Sequence, residues 1–197
     1  MKPIACVACG IFRQEWGLLP AGLKDRLAPR FLDSILHMRP MALEGELARA
    51  SVEAGPEPLA LCYGECCAAI DSIASGPSRA RTPGLNCVEI ILGKERYKAA
   101  RRAGTFFFMP EWAARWKEVL IGGLGLAPGS LARSFFSENA RRFVYVDTGV
   151  GSPPSGLLSE IGDYVGADIE VIEAGAGGLA ESLERALAAT ERELREP

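Results

Sequence analysis

Short apolar runs alternate with longer amphipathic segments along the whole chain, and this alternation constrains the fold more than any other feature. A parallel strand needs a crossover of a dozen or more residues to return beside its neighbour, and a helix supplies one. The pattern predicts an α/β fold of three layers, a mostly parallel central sheet with helices on both faces. Strands are expected over residues 4–8, 31–36, 59–63, 105–109, 142–146 and 168–173. Most are rich in the β-branched and aromatic residues that buried strands favour. Helices are expected over 14–27, 41–53, 66–72, 88–103, 111–122, 130–140, 155–165 and 179–195. Pro110, Pro128 and Pro154 stand at or just before helix starts, and Gly122, Gly123 and Gly125 read as a helix exit. Residues 75–84 and 149–156 read as loops too short to separate domains. A single domain, 1–197, is therefore expected, with two similar halves meeting near Gly104 as an open alternative.

Composition narrows the function classes. A formal charge of −3 and a pI near 5.4 leave no basic footprint for nucleic acid or an anionic membrane surface. No run has membrane-spanning length, and the first residues are too briefly apolar for a signal peptide. A cytoplasmic protein with a small-molecule substrate is the expectation. In a reducing compartment its six cysteines are expected to bind metal, react or pack in the core, and not to form disulfides.

Four of the thiol or imidazole positions fall where an apolar run gives way to a turn or helix start: Cys9, His37, Cys66 and Cys87. The carboxyl ends of parallel strands share one edge, and ligands bind in the crevice there. Convergence of Cys9, Cys66 and Cys87 on one metal is expected, with glycine or a helix start beside each favouring the thiolate. His37 is the sole histidine. If it binds, a Cys3His set suits structural zinc; if it stays out, three cysteines leave one position open, on zinc or on one iron of a four-iron four-sulfur cluster. Zinc is preferred because a Cys3His set is possible and no familiar cluster spacing is present. The bland alternative is that the cysteines are small core residues, and Cys6 and Cys62, inside expected strands, fit it best.

Other polar groups are candidates for the remaining chemistry. Glu65 and Glu89, flanking Cys66 and Cys87, are expected proton carriers, with first-turn dipole complementation the plainer role for Glu89. Arg79 and Arg81, in the 75–84 loop, are candidate clamps for a carboxylate or phosphate. Asp147 and Thr148 follow a strong strand and are candidates for a cofactor-pocket wall. Phe106, Phe107 and Phe108 with Met109, Trp112 and Trp116 read as a buried strand and an inner helix stripe, with a cofactor face as the alternative.

The ordered series Ala8-Cys9-Gly10, Leu36-His37 with Arg39-Pro40, Tyr63 through Cys66, Asn86-Cys87 and Thr105 through Phe108 resembles the uncharacterised domain-of-unknown-function family sixteen-thirty-eight, from Ile4 to about Val146. The resemblance implies an α/β domain with matching positions at Cys9, His37, Cys66 and Cys87, and supplies no reaction. It also implies, for some members, an association with corrinoid-dependent methyl transfer from methylated amines, with a methyltransferase or corrinoid protein as partner. The chain departs from the family pattern at Cys67, in place of a glycine, and at Asn86, in place of a frequent histidine.

The function expected is that of a metal-dependent enzyme, a transferase or lyase, acting on a small polar substrate. A non-catalytic metal- or iron–sulfur-binding accessory protein and a plain ligand-binding module with core cysteines stay open as alternatives.

Overall fold

The computed structural model describes residues 2–193. Its strands are β1 (Ile4–Cys9), β2 (Leu27–Leu32), β3 (Leu59–Cys62), β4 (Arg79–Arg81), β5 (Thr105–Phe108), β6 (Arg142–Asp147) and β7 (Ile169–Glu173). Every pairing among them is parallel. They form an α/β fold with two sheets, of order β2-β1-β3-β4 and β5-β6-β7, on either side of Gly104. β4 has three residues, so it offers few ladder hydrogen bonds with which to recruit another strand.

The helices are α1 (Ala21–Lys24), α2 (Pro40–Ala54), α3 (Ile70–Ile73), α4 (Cys87–Leu92), α5 (Lys94–Arg102), α6 (Pro110–Ala114), α7 (Gly129–Asn139), α8 (Ser155–Val165) and α9 (Gly177–Glu193). Several expected elements are corrected. The helix expected over 14–27 is a 3-10 turn, Glu15–Leu18, followed by α1, because Pro20 removes an amide donor and holds Leu19 extended at ψ 149°. The one expected over 88–103 is α4 and α5, divided at Gly93, whose φ of 76° ends the first helix. That over 66–72 shrinks to α3, and that over 111–122 is α6 followed by a π-helical segment, Glu118–Gly123. The strand expected over 31–36 lies earlier, as β2. Pro29 is tolerated there because β2 is an edge strand, and Asp33 ends it by accepting the Ile35 amide at 3.1 Å to start a 3-10 turn, Ser34–Met38. The 75–84 loop contains β4. Residues 194 and 195 of the last expected helix lie outside the described residues.

Two hydrophobic cores meet at β6. Val144 and Val146 belong to the core of the first sheet, while Phe143 and Tyr145 belong to a second core with Phe108, Phe136, Leu158 and Ile161. This is the period-two alternation of a strand buried on both faces. Leu43, Leu47 and Ala50 form the buried face of α2, which packs on β1. α9 returns across the boundary: Leu179, Leu183 and Leu187 join the first core, and the helix packs against β3 and β4. Polar links also cross. Arg115 binds Asp33 at 2.7 Å, and Ser34 Oγ donates to Glu111 Oε2 at 2.7 Å.

Candidate functional site

The first sheet steps from β1 to β2 on one side and then crosses to β3 on the other. Such a reversal leaves the two connections diverging at the carboxyl ends of β1 and β3, and a crevice opens between them. Cys9 is the last residue of β1, and Cys66 follows β3 by four positions. Cys87 opens α4 behind Asn86, whose side chain caps the helix by accepting the Glu89 amide at 3.0 Å. His37 comes from the 3-10 turn after β2.

Two glycines permit this gathering. A Cβ on Gly64 would lie 2.5 Å from the backbone nitrogen of Asn86 and 2.6 Å from the carbonyl carbon of Leu85, so only glycine lets the segment bearing Cys66 pass that close to the one bearing Cys87. The Glu65 amide bonds Leu85 O at 2.9 Å across the same approach. At Gly10, next to Cys9, a Cβ would meet Leu32 O at 2.6 Å. Gly64 is the sequence signal for the contact between the Cys66 and Cys87 segments, and Gly10 for that between the Cys9 segment and the one leading to His37.

The four groups form a chain of neighbours, each shifting the titration of the next: Cys9 with Cys87, Cys87 with Cys66, and Cys66 with His37. Cys87, helped by His37, holds the Cys66 thiol below the ordinary range, while Cys87 is pushed up by Cys66 and Cys9 and by burial. Cys66 raises His37. These shifts favour the thiolate at Cys66, the thiol at Cys87 and the charged ring at His37. It is a chain and not a shell. Among the described residues, no group of three or more His, Cys, Asp or Glu side chains stands in position to hold a metal ion. All six cysteines are free. Tyr63 is buried beside the thiols, and its hydroxyl has no partner.

A cavity of about 200 Å³ adjoins the chain, lined by Cys9, His37 and Cys87 on one side and by Thr105, Phe107 and Trp112 on the other. It lies between the first sheet's carboxyl edge and the β5–α6 segment. Phe106 and Met109 also line it, whereas Phe108 and Trp116 belong to the second core. Ser34, Tyr97 and Arg101 are pocket residues that no motif announced, and Thr105 opens the 105–108 motif without having been a site candidate. The His37 and Trp112 rings meet edge-on at 5.6 Å.

The other sequence candidates lie elsewhere. Glu65 and Glu89 line a separate open groove of about 840 Å³ that shares no lining residue with the thiol pocket. Glu65 is exposed and accepts from Arg81 at 3.4 Å, and Glu89 is buried with Oε2 unpartnered. Neither arginine of the 75–84 segment lines the pocket. Arg79 donates to Ser51 O and Gly55 O, each at 2.7 Å, tying β4 to α2, and Arg81 is held by Asp71, Glu65 and the carbonyls of Thr82 and Gly84. Asp147 and Thr148 sit at the second sheet's edge. The Asp147 carboxylate accepts the Gly149 amide at 2.9 Å, and Thr148 Oγ1 donates to Glu15 Oε1 at 2.8 Å. Cys6 is pushed up to about 12 by burial, Cys62 is wholly buried and also raised by burial, and Cys67 is raised by burial and then by the charges of Glu44 and Cys66.

Among the described residues, no helix is long and apolar enough to cross a membrane. No curated protein and no solved structure matches the chain. A family model described as a protein of unknown function, DUF1638, matches residues 31–183, a span that includes His37, Cys66 and Cys87 and leaves out Cys9. That match covers well over half of the 197 residues, and the chain belongs to this family.

Proposed function

We propose that the protein is a metal-dependent enzyme in which Cys9, Cys66 and Cys87 bind one soft metal, zinc, beside a pocket for a small polar substrate. One observation carries this reading: three thiols and the sole imidazole, brought from four separate segments, are close enough at the crevice of the first sheet to shift one another's titration. Soft thiolates in that number suit zinc or an iron cluster better than any hard cation. The protons that the thiols hold are the ones metal binding would displace. Tyr63, whose hydroxyl is unpartnered against the thiols, gains an acceptor when they ionise. A metal there supplies Lewis acidity toward a ligand in the adjoining pocket. His37 lines that pocket and moves protons at its ring nitrogens. Glu65 and Glu89 do not line that pocket and have no part in this assignment. Methyl transfer, with a corrinoid protein or methyltransferase as partner, is the reaction context we propose on the family resemblance.

The test is metal analysis of anaerobically purified protein with the Cys87→Ser and His37→Ala variants. We expect about one zinc per chain, lost in Cys87→Ser and kept in His37→Ala. Loss of zinc in His37→Ala would make the site a closed structural one, and brown protein with iron and labile sulfide would replace zinc by a cluster. A second reading, a metal-free enzyme using the Cys66 thiolate as nucleophile, is favoured by the pairing of Cys66 with His37 in a chain and not a shell. Metal-free, fully active protein would establish it.

A further inference from the structure

We propose that the pocket beside the thiols takes a small organic carboxylate with an apolar or aromatic body, its carboxylate bound by Arg101. The proposal deepens the reading above, since it names the substrate class of the same site.

Charge comes first. Among the described residues that line the pocket there is no aspartate or glutamate, and Arg101 and His37 are its basic side chains. Arg101 sits in the last turn of α5, exposed, and makes no ion pair among the described residues. That sets it apart from Arg79, Arg81 and Arg115, each held by several acceptors. An unpaired guanidinium at a rim without acids presents the planar fork that matches a carboxylate.

Polar groups deeper in the wall point the same way. Thr105 is 6% exposed, and its hydroxyl has no partner. Trp112 lines the pocket with its indole Nε1–H buried and unpartnered. Indole is a donor only, and buried donors are seldom left unpaired without a reason. Phe106, Phe107 and Met109 supply apolar wall, and the other polar lining groups are spent within the protein, Ser34 Oγ donating to Glu111 and Asn86 Nδ2 to the Tyr97 hydroxyl. A volume of about 200 Å³ sets the size, because an apolar cavity of about 150 Å³ accommodates benzene. The occupant has roughly ten non-hydrogen atoms. One guanidinium without lysines suits a monocarboxylate better than a phosphate, whose extra charge calls for more donors.

The experiment is calorimetric titration of the full chain with benzoate, benzyl alcohol and benzylamine, with metal content measured on the same samples. Benzoate is expected to bind at least about tenfold more tightly than the alcohol, and Arg101→Gln is expected to erase that preference while leaving metal content and the melting curve unchanged. Thr105→Val is expected to weaken benzoate less than Arg101→Gln does. Equal or tighter binding of the alcohol or the amine, unaltered benzoate affinity in Arg101→Gln, or no binding of any probe would overturn the proposal. Benzoate binding by metal-free protein would sink the metal reading alone, and metal-loaded protein indifferent to benzoate would sink the carboxylate alone.

Discussion

The two sheets of this protein are both parallel, yet their carboxyl edges do different things. In the first, whose order runs β2-β1-β3-β4, the connections after β1 and β3 diverge, and the groups they carry face one another across an opening. In the second, order β5-β6-β7, each strand steps to the same side and no such opening arises. Its polar residues are consumed by structure: Asp147 closes its own turn and Thr148 bonds the buried Glu15. Parallel strands alone therefore do not make a site; a reversal of strand order does. The second half contributes instead a wall, Thr105 through Trp112, set against the first half's crevice.

That division of labour can be broken at separate points. The largest effect is expected from Phe136→Ala, which empties the second core at a residue 1% exposed. It should cost about 3–5 kcal/mol in urea unfolding. The reaction of Cys66 with iodoacetamide should keep its native rate under native conditions. A change in that rate would mean that the second core holds the thiols in place.

Gly64→Ala attacks the first edge. Its new Cβ meets backbone and not a flexible side chain, so the segments bearing Cys66 and Cys87 must separate. About 1–3 kcal/mol of stability should go, together with the depressed thiol titration of Cys66. Gly156→Ala, on α8 with open space around its Cβ, is the matched control and should be neutral or slightly stabilising.

In metal-free protein at neutral pH, Cys66 should be alkylated at least about tenfold faster than Cys6, as peptide mapping would resolve. Cys87 and His37 favour the Cys66 thiolate, whereas burial pushes Cys6 up to about 12. His37→Ala should slow Cys66. Equal rates at the two cysteines would dissolve the contrast between a reactive edge and an inert strand.

The smallest effect concerns Glu15, where the two halves touch. Burial raises its carboxyl above the ordinary range, opposed in part by its own backbone amide and by Thr148, with Glu111 raising it further. The neutral acid is thus favoured in the folded state. Stability is fully present below the unfolded carboxylate pKa and declines as pH rises from there through the folded value. Glu15→Gln keeps an acceptor for Thr148 and should flatten that decline, seen by comparing urea midpoints at about pH 4 and about pH 8. A variant with the wild-type pH slope would refute the assignment.

How much of this was legible beforehand depends on how local each feature is. Helix α8, Ser155–Val165, is readable residue for residue, because Pro154 precedes it, apolar residues recur on one face, and Gly166 ends it in the left-handed region at φ 81°. α2 is readable for the same reason, with proline at its start and Leu43, Leu47 and Ala50 one helical face. Cys9, Cys66 and Cys87 stand out because each interrupts an apolar run beside a glycine or a helix start, which are short-range signals.

The amino-acid sequence by itself determined the α/β class, since period-two apolar runs and period-3.6 segments specify strands and helices locally. Only the tertiary structure decided that the strands divide into two sheets and that α9 returns to the first core, because strand partners are chosen by burial over long sequence separations. It also decided which polar neighbours accompany the thiols. Glu89 is two residues from Cys87 in the chain, yet it lines another groove, and Glu65 shares with Cys66 an opening that no residue of the thiol pocket lines. Successive side chains on a helix or turn point in different directions, so adjacency in sequence does not become adjacency in the site. Thr105 and Trp112 line the pocket because the second half packs its β5–α6 segment against the crevice of the first, and Arg101 joins them from the last turn of α5.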